Sequence, residues 1–169
     1  MSLLSQSTLS DKVLISGIGI HTGKKVNLKI LPSSPNTGIV FKRVDLKNNN
    51  IVIPNFENVS DATLCTTITN QYGVKVSTIE HLMATFLGLG IDNAVVELDS
   101  QEVPILDGSA MNFVKIFKET GLKNSDIPIK IIKINNTVEL KDGNKFISIE
   151  KSNTTLEIEF EINYDNKLI

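Results

Sequence analysis

Cysteine occurs once in the chain, at Cys65, so no internal disulfide can form, which fits a reducing compartment. Histidine is almost as scarce, with His21 and His81 the whole supply. Arginine occurs once, at Arg43, beside sixteen lysines that are spread along the chain without a polybasic run. With a formal net charge of −2 there is no global basic field of the kind nucleic-acid binders carry, and no nucleic-acid partner is expected. No apolar stretch approaches the ~20 residues of a membrane span. The N-terminus lacks the basic-then-apolar pattern of a secretory signal. The chain therefore reads as soluble and cytoplasmic. What is present is 169 residues, 41% of them apolar. That is enough for one ordinary domain, or for one small domain and part of another.

Up to about residue 76 the pattern is that of β-structure. Val13 to Ile20 is apolar and broken by Gly17 and Gly19. Val26, Leu28 and Ile30 alternate with Asn27 and Lys29, the mark of a half-buried strand. Gly38–Val44, Ile51–Ile53, Ala62–Thr69 and Val74–Ser77 read as further strands, the last two as a hairpin leading into a helix. Ile79, Leu82, Met83, Phe86 and Leu87 recur at helical spacing until Gly88 and Gly90. Ser77 and Glu80 form a capping-box pattern at the start of that helix. Asn93–Leu98 and Val103–Leu106 then read as strands, and Ala110, Phe113, Val114 and Phe117 mark a second amphipathic helix ending at Gly121.

Residues 122–128 have linker composition, and beyond them Ile129–Leu140, Phe146–Glu150 and Leu156–Asn163 read as strands, with a hairpin turn at Asp142-Gly143. Leu156 to Ile162 alternates strictly, one face apolar and the other acidic. The expected organisation is a complete α+β domain over 1–122, a linker at 123–128, and over 129–169 the incomplete start of a second domain. Strands with one apolar face need a cover, and the sequence after 129 contains no helix to supply one.

The segment with the most chemistry is Ser77-Thr78-Ile79-Glu80-His81-Leu82. Adjacent helical positions point about 100° apart. A histidine there can bind a metal while its neighbouring carboxylate handles a water, the pairing that zinc hydrolases need. A capped amphipathic helix with an incidental histidine explains the same hexapeptide. Asp107-Gly108-Ser109 reads as a turn and helix cap, because no Gly-x-Ser-x-Gly context surrounds the serine. Gly17-Ile18-Gly19 lacks the third glycine and the following helix of a phosphate loop.

Five stretches in order carry a resemblance. They are Ser16-Gly17-Ile18-Gly19-Ile20-His21-Thr22-Gly23-Lys24-Lys25-Val26, Leu64-Cys65-Thr66-Thr67, the hexapeptide above, Gly88-Leu89-Gly90-Ile91-Asp92-Asn93, and Glu102-Val103-Pro104-Ile105-Leu106-Asp107-Gly108-Ser109-Ala110. Together they resemble the N-terminal half of bacterial UDP-3-O-acyl-N-acetylglucosamine deacetylase, a zinc-dependent hydrolase of lipid A synthesis. The resemblance implies two similar sheet-and-helix domains of the ribosomal-protein domain-2-like type, with the active site at their junction. It implies a UDP-linked acylated glucosamine as substrate and Zn2+ as cofactor. It maps the family's general base onto Glu80 and one zinc ligand onto His81. It places Leu64, Cys65 and Thr66 along the substrate cleft, with Cys65 a lining residue and not a nucleophile. His21 stands either as a substrate contact near the cleft or as a polar loop residue.

The sequence also departs from that family. No His-x-x-x-Asp segment is present, and no histidine follows position 81 to act as the general acid. The chain thus carries one of three expected zinc ligands. It is expected to be inactive alone, as a cut chain, a truncated product or one half of a split enzyme whose C-terminal half is the missing partner. The alternative is a non-catalytic binding or accessory protein that keeps the fold, since one fold hosts unrelated functions.

Overall fold

The computed structural model describes residues 4–153 and 156–163. The elements run β1 (Ser5–Leu9), β2 (Val13–Ile18), β3 (Lys25–Pro32), β4 (Ile39–Arg43), β5 (Ile51–Val52), a single 3-10 turn (Phe56–Asn58), β6 (Val59–Asp61), β7 (Thr67–Thr69), β8 (Lys75–Val76), α1 (Glu80–Leu89), β9 (Ala94–Leu98), α2 (Met111–Thr120), β10 (Leu122–Pro128), β11 (Val138–Asp142) and β12 (Lys145–Ile149). The described residues make an α+β fold with mixed sheets and two helices. Contacts divide it into two compact units, Met1–Ile129 and Lys130–Ile169.

In the first unit a five-stranded sheet has the order β2-β3-β9-β4-β5. All its pairs are antiparallel except β4–β9. Alternation decides its faces. Val13 and Ile15 of β2, Val26, Leu28 and Ile30 of β3, Phe41 of β4 and Ala94, Val96 and Leu98 of β9 are all buried. The opposite face carries Lys29, Lys42 and Glu97, with both lysines paired to Glu97. The apolar face packs with α1 and α2 into one core that also holds Leu82, Phe86, Phe113 and Phe117. Phe86 of α1 stacks on Phe117 of α2 with ring centroids 5.4 Å apart, which locks the helices together. Gly90, at φ +68°, ends α1. Its N–H donates to Leu87 O and that of Ile91 to Phe86 O, so the last carbonyls are satisfied. A small sheet, β6-β7-β8, precedes α1.

Two differences from the sequence reading concern one strand pair. Residues 122–128, whose composition reads as linker, form β10, and β10 pairs antiparallel with β1, which apolar patterning does not reveal. Both strands are polar, and hydrogen bonds take the place of apolar contacts. Gln6 is buried. Its Oε1 accepts from Asn36 N and Asn93 Nδ2, and its Nε2 donates to Asn36 Oδ1 and Pro128 O. Ser7 N donates to Asp92 Oδ2, and the Ser7 hydroxyl donates to Gly90 O. A fully satisfied polar network is compatible with burial. The first unit accordingly runs on to Ile129. Elsewhere the Ala62–Thr69 strand shrinks to Thr67–Thr69. Val103–Leu106 forms no named strand, and the neighbouring Glu102 makes an isolated parallel bridge with Ser77.

In the second unit the Asp142-Gly143 turn is present, with Gly143 at φ +60° and Asp142 opposite Lys145. It joins β11 to β12, and every residue of both strands is exposed. Leu156–Asn163, which alternates like a strand, forms none, and Leu156, Ile158 and Phe160 are largely exposed. Alternation supplies a face but not a partner row, and a strand needs both. The outermost ends of the two expected domains, residues 1–3 and 164–169, lie outside the described residues, as do 154–155.

Two outcomes follow. Phe117→Ala should destabilise the first unit by about 3–5 kcal/mol, the cost of emptying a large buried aromatic site, as read by urea denaturation. Amides of β11 and β12 should exchange with deuterium far faster than those of α1 and α2 in monomeric protein. Equal protection would show that the hairpin is held by burial its exposed side chains do not reveal.

Candidate functional site

Glu80 and His81 open α1. The capping box expected there does not form. Ile79 is the residue before the helix and makes no side-chain cap, while Ser77 lies too early and is extended. Ser77 N donates to Gln101 O, and Ser77 O accepts from Val103 N. Thr78 then turns the chain at φ +57°, a conformation unfavourable for a β-branched residue. Glu80 is thereby released from capping. Its Oε2 accepts instead from Thr66 N at 3.0 Å, and Ile79 N donates to Thr66 O. Its Oε1 accepts from no protein group among the described residues. A carboxylate in the first turn is also favoured by the helix dipole. His81 is half-buried, and its carbonyl accepts from Thr85 Oγ1 at 2.8 Å.

Of the other candidate residues, Thr66 is tied directly to Glu80 through its amide. Cys65 is half-buried, with Sγ 3.7 Å from Thr67 Oγ1, and Leu64 is 80% exposed, a large apolar side chain left open to solvent. His21 sits in the turn between β2 and β3 with an exposed side chain. It reaches the α1 segment only through its backbone, by way of a residue that sequence reading quoted but gave no role.

That residue is Glu102. It is fully buried, a rarity for a carboxylate that has no cationic partner among the described residues. Its Oε1 accepts from His21 N at 2.9 Å and Thr78 Oγ1 at 3.0 Å, and its Oε2 accepts from Thr22 N at 2.8 Å. A Cβ at Gly19 would collide with Oε2, so glycine is required there by close approach. Burial pushes the Glu102 pKa up, but the bonds from His21 and Thr22 and from the Thr78 hydroxyl outweigh it and hold the group below the ordinary carboxylate range. The one sequence signal for Glu102 is a charge set directly before the apolar Val103-Pro104-Ile105.

Among the described residues no group of three or more His, Cys, Asp or Glu side chains could hold a metal ion. His81 is a single donor, and one imidazole does not make a catalytic zinc site. The residues present therefore do not fit a complete zinc centre. No helix of the described residues is long and apolar enough to cross a membrane.

The lowered pKa of Glu102 has a pH consequence. A carboxylate depressed in the folded state contributes stability that is present above its unfolded pKa, about 4.3. That stability is lost as pH falls through the folded value. Glu102→Gln should cost about 1–3 kcal/mol at neutral pH, because buried donors lose an acceptor. The deficit should shrink at strongly acid pH, below the folded pKa of Glu102, where the parent carboxyl takes up its proton as well. Urea denaturation of both proteins at the two pH values checks this, and a deficit that does not change with pH would sink it.

Residues 6–169 match the family described as UDP-3-O-acyl N-acetylglycosamine deacetylase. The chain is 41% identical over 167 residues to the UDP-3-O-acyl-N-acetylglucosamine deacetylase of Pseudoalteromonas atlantica, covering 99% of this chain and 55% of that protein. It is 38% identical over 167 residues to the protein of that name from Actinobacillus pleuropneumoniae, with the same coverage. With that of Shewanella denitrificans it shares 40% identity over 164 residues, 97% of this chain and 53% of the relative. The chain spans about half the length of the curated relatives it matches. On this match across nearly its whole length, the chain belongs to the UDP-3-O-acyl N-acetylglycosamine deacetylase family.

Proposed function

We propose that this chain is the N-terminal portion of a zinc-dependent amide hydrolase. It removes the N-acetyl group from UDP-3-O-acyl-N-acetylglucosamine in the cytoplasm, the committed step of lipid A and lipopolysaccharide synthesis. Family membership and the names of the relatives support the reading. The observation that carries it is the state of Glu80: one oxygen is fixed by Thr66 N, the other accepts from no protein group among the described residues, and the group stands next to His81. In this reading Met1–Ile129 is a domain of the ribosomal-protein domain-2-like type, and Lys130–Ile169 begins a second similar one.

Amide hydrolysis adds a water oxygen to the carbonyl carbon, breaks the C–N bond, and yields acetate and a free amine. Glu80 accepts the proton of the attacking water on Oε1, while the Thr66 amide fixes its carboxylate plane. General base catalysis of this kind contributes typically 10²–10⁴-fold. His81 would be one donor to a zinc ion, and the chemistry such an ion would supply there is polarisation of the carbonyl and activation of water. The other ligands, and the acid that protonates the departing amine, belong to the part of the family's length beyond this chain. His21, Leu64, Cys65 and Thr66 lie on the substrate side.

Two experiments test the reading. The chain alone, titrated with zinc and assayed on the UDP-linked substrate, should bind the metal weakly and show no turnover. Tight, stoichiometric, His81-dependent binding would refute the incomplete site. In this chain completed to the length of its relatives, His81→Ala should lower zinc content and activity together. Glu80→Gln, which still offers Thr66 N an acceptor, should keep zinc and lower the rate by about 10²–10⁴-fold. Near-full activity of Glu80→Gln removes the general base from the mechanism. A completed parent without deacetylase activity would favour a non-catalytic binding protein.

A further inference from the structure

Glu102 and Thr78, with the backbone amides of the turn carrying His21, form a cluster that the chemistry above does not use. Segment 101–105 runs between two others. Ser77 N donates to Gln101 O and Val103 N to Ser77 O on one side, and Ile105 N donates to Ile18 O on the other. At its centre the buried Glu102 carboxylate takes donors from both: His21 N and Thr22 N from the turn, and Thr78 Oγ1 from the entry to α1. Thr78 is strained at φ +57°, and its hydroxyl donates to the carboxylate. The next two residues are Ile79 and Glu80, both bonded to Thr66.

We infer that Glu102 is a positioning residue: through the Thr78 hydroxyl it holds the chain in the left-handed turn that starts α1 and so sets the aim of Glu80 and His81, while its other bonds fix the His21 turn to the same point. It touches no substrate. The inference rests on the deacetylase reading only for its activity test.

Variants at Thr78 separate this role from simple packing. Thr78→Val keeps shape and β-branching but has no hydroxyl, so the strained turn loses what holds it. Thr78→Gly also lacks the hydroxyl, yet glycine occupies that turn without strain. A packing role ranks valine above glycine; a positioning role ranks glycine above valine. In this chain completed to the length of its relatives, Thr78→Val should lower kcat by about ten- to a hundredfold, the effect of a small misplacement of catalytic groups, with KM little changed. Thr78→Gly should retain most of kcat, and Thr78→Ser, which keeps the donor, should rescue further. Valine as active as parent, or glycine as impaired as valine, overturns the inference.

A second readout needs no activity. The Thr66 amide proton, bonded to Glu80, reports the aim of α1 by NMR in the 169-residue chain. It should shift and lose exchange protection in Thr78→Val and Glu102→Gln, and stay near the parent value in Thr78→Gly. A Thr66 amide unmoved in all three variants overturns the inference. If the completed parent proves inactive, the deacetylase reading fails while this measurement still decides the role of Glu102.

Discussion

A carboxylate buried with no cation beside it must be met by donors from the chain itself, and meeting Glu102 shapes the whole approach to α1. Both of its oxygens accept, from two directions: from the amides of His21 and Thr22 and from the hydroxyl of Thr78. Any of these segments moving alone would strand a buried charge, at a cost larger than that of losing an ordinary hydrogen bond. The glycine at position 19, the left-handed Thr78 and the extended Ser77 all follow from bringing three segments within reach of one side chain.

The core of the first unit supplies the rigid frame on which that arrangement is mounted. One face of the five-stranded sheet is covered by α1 and α2, and the stacking of Phe86 on Phe117 fixes the body of α1 well beyond its first turn. The helix start is then free of packing duties: Leu82 is the first buried residue of the helix, so Glu80 and His81 precede the buried stripe and are half-buried. A helix anchored by its far turns and aimed by its first residues presents side chains with little freedom, which catalytic geometry requires.

Periodicity made the frame legible in the sequence. Both helices, and strands such as β3 and β9, announce themselves by apolar spacing, because each buries one face and shows another. The β1–β10 pair was not legible, because its buried members include Gln6 and Ser7, held by hydrogen bonds to residues far along the chain. Composition cannot distinguish such a strand from a linker. The capping box failed for a related reason. Its residue types were right, but Thr78 adopts a conformation that local propensity disfavours, and a tertiary hydrogen bond decided the outcome. Glu80 and His81 were legible as a pair. The partner of Glu80 was not, since Thr66 is 14 residues away and acts through its backbone, which has no sequence signature. Glu102 and His21 are 81 residues apart, and nothing local links them.

The division of polar groups around α1 separates two tasks that a single carboxylate could not perform together. A general base needs an oxygen open to a water, whereas a structural clamp needs both oxygens held. Glu102 is the held one, buried and kept ionised by its donors. Glu80 is the open one, half-buried, with one oxygen anchored and the other left without a protein donor among the described residues. Were Glu80 to cap its own helix, its carboxylate would fold back on the backbone and lose that open oxygen. Placing Ser77 in a strand bridge and turning the chain at Thr78 prevents the capping box, and thereby leaves Glu80 available beside His81. On the proposed reading, the backbone strain at Thr78 is therefore what separates a capping glutamate from a basic one.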